Sequence, residues 1–243
     1  FLGHSLGAIT GLNFMSLANT PLNPAIDAMF KVSTNVQAMP GVMVANLLLE
    51  SGAFGDVIKS NLVYAQVADF KAFVDATFPE GASEAELVGT YQQFYAGLDA
   101  AQQGELEGLY AQFAFAAQTV TDSGDPINYV GALAATQTPT YLIEVVGNGS
   151  DNLGDQVIPN TVSSAPLSGT EAAIALLGLP GISETTQDAE LTISGAGRYV
   201  FGHHGSILSP SPRAEAPDAI MTGRATQEMQ SQVANFFSSM GHL

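Results

Sequence analysis

The sequence predicts an α/β protein: a mostly parallel sheet flanked by helices, with a long helical insertion between two of its strands. Three observations predict it. The run Thr140-Tyr-Leu-Ile-Glu-Val-Val146 follows Pro139 and is rich in β-branched and aromatic residues, as a strand buried on both faces should be. Helical patterns come before and after it. Between Gly41 and about Asn128 no strand pattern is evident, while apolar residues recur at helical spacing. With 46% hydrophobic and 12% charged residues, the 243-residue chain can bury a sizeable core, either as one domain or as one domain carrying an insertion.

The elements follow in order. Gly3-His4-Ser5-Leu6-Gly7 reads as a strand end turning sharply into a helix, Ala8 to Leu17, in which Leu12, Phe14 and Met15 have helix-compatible spacing. Lys31-Val-Ser-Thr-Asn-Val36 is the next expected strand, ending near Met39-Pro-Gly41. In the insertion, Ser83 and Glu86 form a capping box ahead of Leu87, Val88, Tyr91, Phe94, Tyr95 and Leu98 on one face. Leu106, Leu109, Tyr110, Phe113 and Ala117 repeat that pattern. Phe54, Phe70, Phe73 and Phe78 suit either an apolar roof over a site or the insertion's own core, and packing is expected for most of them. Ser168 and Glu171 are expected to cap a helix from Ala172 to Leu177, ended by Gly178. Arg198–Phe201 reads as the last strand, and 218–240 as a closing helix with Met229, Val233, Phe236, Phe237 and Met240 on one face. The expected division is therefore core (1–41), helical cap (42–135) and core again (136–243).

Composition narrows the function. A net charge of -17, from 23 acidic and 6 basic residues, repels nucleic acid and anionic membrane surfaces. It suits an exported protein of a salty habitat, where stability should climb with NaCl, and equally suits ordinary acidic solubility. Without cysteine there is no disulfide, thiolate nucleophile or cysteine metal site. No apolar run is long enough to span a bilayer. No cofactor is expected.

Gly3-His4-Ser5-Leu6-Gly7 also matches G-x-S-x-G, the pattern of a nucleophile elbow. The chemistry needs a serine on a strained strand-to-helix turn, with glycines two positions either side to relieve crowding. Ser5 is the candidate nucleophile, and the backbone N–H of Leu6 the candidate oxyanion donor. In the α/β-hydrolase order Ser, acid, His, the acid follows a buried strand and the base follows the last one. The loop after the 140–146 strand offers Asp151 and Asp155. Asp155 is preferred because Val-Ile-Pro follows it, as is usual after the catalytic acid of this fold. Of the four histidines, His4 adjoins the nucleophile and is expected to point away, and His242 lies in the tail. His203 and His204 remain, and His204 is the candidate base. A metal bound by the His-His pair has no other clustered ligands in its favour.

Together these segments resemble the bacterial virulence-factor lipases, surface or extracellular lipases and lysophospholipases of aquatic gammaproteobacteria. The likeness rests on Gly-His-Ser-Leu-Gly at 3–7, Ala18-Asn-Thr-Pro-Leu22, and Ala38-Met-Pro-Gly41 with the Leu-Leu-Glu-Ser-Gly-Ala-Phe-Gly run at 48–55. It extends to His204-Gly-Ser-Ile-Leu-Ser-Pro210. The resemblance implies an α/β-hydrolase fold with a lid, hydrolysis of carboxylic esters of lipids, and export to the cell surface or medium. It implies contact with lipid or lysolipid aggregates as substrate. It also implies that the chain is the C-terminal part of a longer protein, with further strands and a second oxyanion donor upstream of Phe1. Two other functions are compatible with the same residues: transfer of the acyl group to an alcohol, and a catalytically idle surface module.

Overall fold

The computed structural model describes residues 1–183 and 192–242. Among these, five strands form one sheet in which every pairing is parallel, in the order β1-β2-β3-β5-β4. The strands are β1 (Leu2–His4), β2 (Asn35–Ala38), β3 (Thr140–Val145), β4 (Gly181–Ile182) and β5 (Gly195–Tyr199). Ten α-helices accompany them: α1 (Leu6–Asn19), α2 (Asp27–Phe30), α3 (Val44–Leu49), α4 (Gly55–Gln66), α5 (Ala68–Thr77), α6 (Glu84–Gly97), α7 (Ala100–Thr121), α8 (Val130–Ala135), α9 (Thr170–Leu177) and α10 (Ala219–Ser238).

Alternation along the strands builds two cores. On one face Val36, Ala38, Tyr141, Ile143, Val145 and Tyr199 meet Met229, Val233 and Phe236 of α10. On the other, Leu142 and Ala196 meet Leu12 and Met15 of α1, Val130 and Leu133 of α8, and Ala172, Ala173, Ile174 and Leu177 of α9. The result is three layers, with β3 at the centre and buried along its whole length. As expected, α10 closes one face, although its last predicted apolar residue, Met240, lies beyond the helix and is exposed.

Two strands are displaced from their predicted positions. The segment at Val32 is held by a side chain: Asn19 accepts the Val32 N–H at 2.8 Å and donates to the Val32 carbonyl at 2.8 Å. The ladder therefore begins only at Asn35, which pairs with Thr140. The last strand is Gly195–Tyr199 rather than 198–201. Its glycines suit close packing, since a Cβ on Gly197 would come within 2.6 Å of the Tyr141 hydroxyl, and one on Gly195 within 2.5 Å of Ile182.

Between β2 and β3 lie six helices. α4 to α7, with Leu49, enclose a core of their own: Val63, Phe70, Val74, Leu87, Tyr91, Leu106, Tyr110 and Ala114. The Ser83–Glu86 capping box is formed as predicted. The sixth helix, α8, packs on α1 against the sheet instead. Phe70 is in this core and Phe78 packs against it, whereas Phe54 and Phe73 are exposed. The Ser168–Glu171 cap is not formed. Gly169 is the N-cap of α9, Ser168 Oγ donates to the Val42 and Met43 carbonyls, and Glu171 binds Arg198. Gly178 ends the helix in the left-handed conformation, as expected.

Candidate active site

Three chain segments meet at the C-terminal ends of β1, β3 and β5, where open parallel sheets commonly bind ligands. The first is the β1–α1 turn. Ser5 continues the strand ladder through its N–H to the Ala38 carbonyl at 3.0 Å, and α1 begins at the next residue. Its backbone sits at φ 55°, ψ -125°, a region that costs a non-glycine residue on the order of 1–3 kcal/mol. Such strain persists only where the surroundings enforce it, and here the ladder before and the helix after fix both ends. Gly3 permits the turn, because a Cβ there would lie 2.5 Å from the Gly7 carbonyl oxygen. Gly7 does not share that role, since a Cβ on it would meet nothing within 4 Å. The crowding expected on both sides of the serine is thus real on one side only. Leu6 opens α1 with an exposed side chain, and among the described residues its N–H makes no hydrogen bond.

The second segment is the loop after β3. Gly147 turns it at φ 76°, where a Cβ would come within 2.6 Å of Asn152, Leu153 and Gly154 backbone atoms. Asp155 is bound at three points. Its N–H donates to the Val145 carbonyl at 2.9 Å, and its Oδ1 accepts the N–H groups of Val157 at 2.8 Å and Ile158 at 3.0 Å. Oδ2 remains for the third segment. Asp151 stays at the surface, where Asn148 Nδ2 donates to it at 2.8 Å and holds its carboxyl below the usual range. Of the two acids that the sequence offered, the loop presents Asp155 to histidine and Asp151 to solvent.

The third is the loop after β5. His204 Nδ1 donates to Asp155 Oδ2 at 2.6 Å, with both side chains buried. A proton on Nδ1 leaves Nε2 as the free lone pair. Nε2 is buried and has no hydrogen-bond partner among the described residues, Ser5 Oγ included. Catalytic hydrogen bonds are often made only when substrate is present. The neighbouring His203 is spoken for: its Nε2 donates to the Ser211 carbonyl at 2.8 Å and its Nδ1 accepts the Gly205 N–H at 3.0 Å.

Two further residues were not singled out by the sequence. Asn152 ties the acid loop to the histidine loop, donating to the Gly202 carbonyl at 2.9 Å and accepting the Gly202 N–H at 3.1 Å. His4, expected to point away from the site, turns towards the histidine loop instead. Its Nε2 lies 2.7 Å from the His204 carbonyl oxygen, and the two rings sit 4.9 Å apart. Asn152 could have been suspected from its place between the two candidate acids. For His4 the sequence held no signal, because its partner is a backbone carbonyl 200 residues away.

The helical insertion is anchored to the same site. Ser51 Oγ donates to the Val157 carbonyl at 2.7 Å and the Ala53 N–H to the Gln156 carbonyl at 2.9 Å, directly after Asp155. Ile9 of α1, Leu47 of α3, Ile158 and Val162 pack together beneath it. Between α3 and α7 opens a groove of about 300 Å³, lined by Met43, Leu49, Tyr110, Ala114 and Phe115, with Glu50 and Glu107 beside them.

No group of three or more His, Asp or Glu side chains suited to a metal ion occurs among the described residues, and none of their helices is long and apolar enough to cross a membrane. The fold and site together define an α/β protein with a parallel five-stranded sheet, a buried Asp–His pair, and a strained serine whose neighbour His4 contacts that histidine. No family model, curated protein or solved structure matches the chain.

Proposed function

We propose that this protein is a serine carboxylester hydrolase of the α/β-hydrolase type, with Ser5, His204 and Asp155 as its triad. The observation that carries the reading is the buried 2.6 Å bond from His204 Nδ1 to Asp155 Oδ2, at the strand ends that also bear Ser5 at φ 55°. In this mechanism His204 Nε2 takes the proton of Ser5 Oγ as the oxygen attacks the ester carbonyl. Asp155 holds the ring in the required tautomer and steadies the imidazolium. The Leu6 N–H, at the positive end of α1, donates to the developing oxyanion. The imidazolium then protonates the leaving alcohol, and water deacylates Ser5 by the reverse proton path.

An acyl lipid or lysolipid as substrate, and export of the protein, rest on the resemblance to the virulence-factor lipases. Phe70 and Phe78 pack within the insertion and lend that substrate no support; Phe54, Phe73 and Phe115 of the insertion are exposed and free to meet one. The test is hydrolysis of p-nitrophenyl esters of graded chain length and fatty-acid release from lysophosphatidylcholine. Ser5→Ala and His204→Ala should lower kcat by ~10⁴-fold or more, while His203→Ala keeps activity in whatever fraction folds. Hydrolysis by Ser5→Ala at the wild-type rate would overturn the reading. A wild type that cleaves no ester would leave a non-catalytic module.

A further inference from the structure

We propose that His4 is a positioning residue for His204, clamping the histidine loop to the strand that carries Ser5. The inference rests on the triad reading above and deepens it. His204 has two fixed points. Its ring is tied to Asp155 through Nδ1, and its backbone is tied to His4 Nε2 through the 2.7 Å contact at the carbonyl oxygen. Among the described residues no other donor reaches that carbonyl.

The loop is held on either side of His204, by Asn152 at Gly202 and by the His203 ring at Ser211, and His4 adds the hold on the His204 backbone itself. The loop begins at Gly202 with φ 107° and includes Gly205, and its own turn bonds run from Ser206 to His203 and from Leu208 to Gly205, bypassing His204. His4 is well placed to supply that hold. As the last residue of β1 it pairs with Ala38, and Ser5 donates to the same Ala38 carbonyl, so its backbone is as fixed as the sheet. Rings 4.9 Å apart and tilted by 48° add a face on which the His204 ring can rest. The residue next to the nucleophile thereby sets the distance between nucleophile and base.

Chemistry favours a histidine over a lysine or arginine in this place. A carbonyl acceptor requires the proton on His4 Nε2. Burial holds the His4 pKa below the usual histidine range, so at neutral pH the ring is an uncharged donor. A fixed cation so close would oppose the positive charge His204 acquires in the reaction.

The experiment compares His4→Gln, whose side-chain amide reaches about as far as Nε2 and can donate, with His4→Phe, which keeps the ring but not the donor. Two readouts are used: kcat and KM on a soluble ester, and the downfield NMR signal of the His204 Nδ1 proton, assigned by its loss in Asp155→Asn. His4→Phe should lower kcat about 10- to 100-fold with KM nearly unchanged, and should shift or broaden the proton signal. His4→Gln should restore both. His4→Phe matching wild type in both readouts would overturn the proposal, as would His4→Gln failing as badly as His4→Phe while folded. The NMR arm needs no turnover. An inactive wild type whose signal still responds to His4→Phe and recovers in His4→Gln would retire the hydrolase reading and leave the clamp standing.

Discussion

The helical insertion and the site are built by different physics. α4 to α7 close over an apolar core in which Phe70, Val74, Leu87, Leu106 and Tyr110 interdigitate, and the hydrogen bonds among their side chains are mostly exposed. The site is the reverse. Asp155, Asn152, His203 and His204 are all buried, and each is placed by hydrogen bonds to backbone or to another loop. Apolar packing tolerates exchange of one hydrophobe for another of similar volume. A buried polar network leaves an unpaired group when one member changes. The two regions should therefore fail differently when mutated, the insertion by losing stability and the site by losing function.

The largest effect is expected at the acid. Asp155→Asn should lower kcat by roughly 10⁴-fold, because an amide at Oδ2 favours the wrong His204 tautomer. Asp151→Asn, at an exposed carboxyl that accepts from the Asn148 side chain, should leave kcat within about 2-fold on the same ester assay. Next comes the insertion. Phe70 is 1% exposed and Phe73 60%, three residues apart on one helix. Urea unfolding should show Phe70→Ala losing about 3–5 kcal/mol and Phe73→Ala no more than about 0.5 kcal/mol. Equal losses would mean that Phe73 has a partner in solution.

The last prediction concerns a third kind of region, the charge cluster under the sheet. Glu144, on β3, is fully buried. Arg198 Nε approaches its Oε1 at 2.7 Å, yet directs its hydrogen bond to Glu171, and among the described residues neither Glu144 oxygen accepts one. Burial first, and the Glu171 carboxylate second, push its pKa up to about 8, which Arg198 offsets only in part. Folded Glu144 thus keeps a proton that the unfolded chain releases near its ordinary value of 4.5. Its contribution to stability is full below that value and is lost as pH rises towards about 8, with a slope of at most ~1.4 kcal/mol per pH unit. Glu171, whose carboxyl Arg198 holds below its usual range, acts in the opposite sense at more acidic pH. In Glu144→Gln the fall in stability between pH 5 and 8 should flatten, as followed by unfolding at a series of pH values. An unchanged slope would show that Glu144 is ionised in the fold.

This contrast also explains what could be read from the sequence. The insertion was legible because its core repeats at helical period and its α6 cap is a local motif, so Ser83, Glu86, Leu87, Tyr91 and Leu106 all fall where the pattern puts them. The parallel α/β layout was legible for the same reason, through the buried run at β3. Asp155 and His204 were legible as residue types in the right loops, and the fold brings those two together. Where long-range bonds override local pattern, local reading fails. Asn19 delays β2, glycines packed on Tyr141 and Ile182 extend β5 backwards, and Gly169 displaces Ser168 as the α9 cap. His4 and Asn152 belong with these, since each binds backbone in a loop remote along the chain.

The central claim is that Ser5 is the nucleophile served by the His204–Asp155 pair. Its most direct test is to treat the protein with a fluorophosphonate and locate the adduct by peptide mass spectrometry. The account predicts a single adduct on the peptide containing Ser5, absent in Ser5→Ala, strongly slowed in His204→Ala and retained in His203→Ala. An adduct on another serine, or labelling of Ser5→Ala at the wild-type rate, would contradict it.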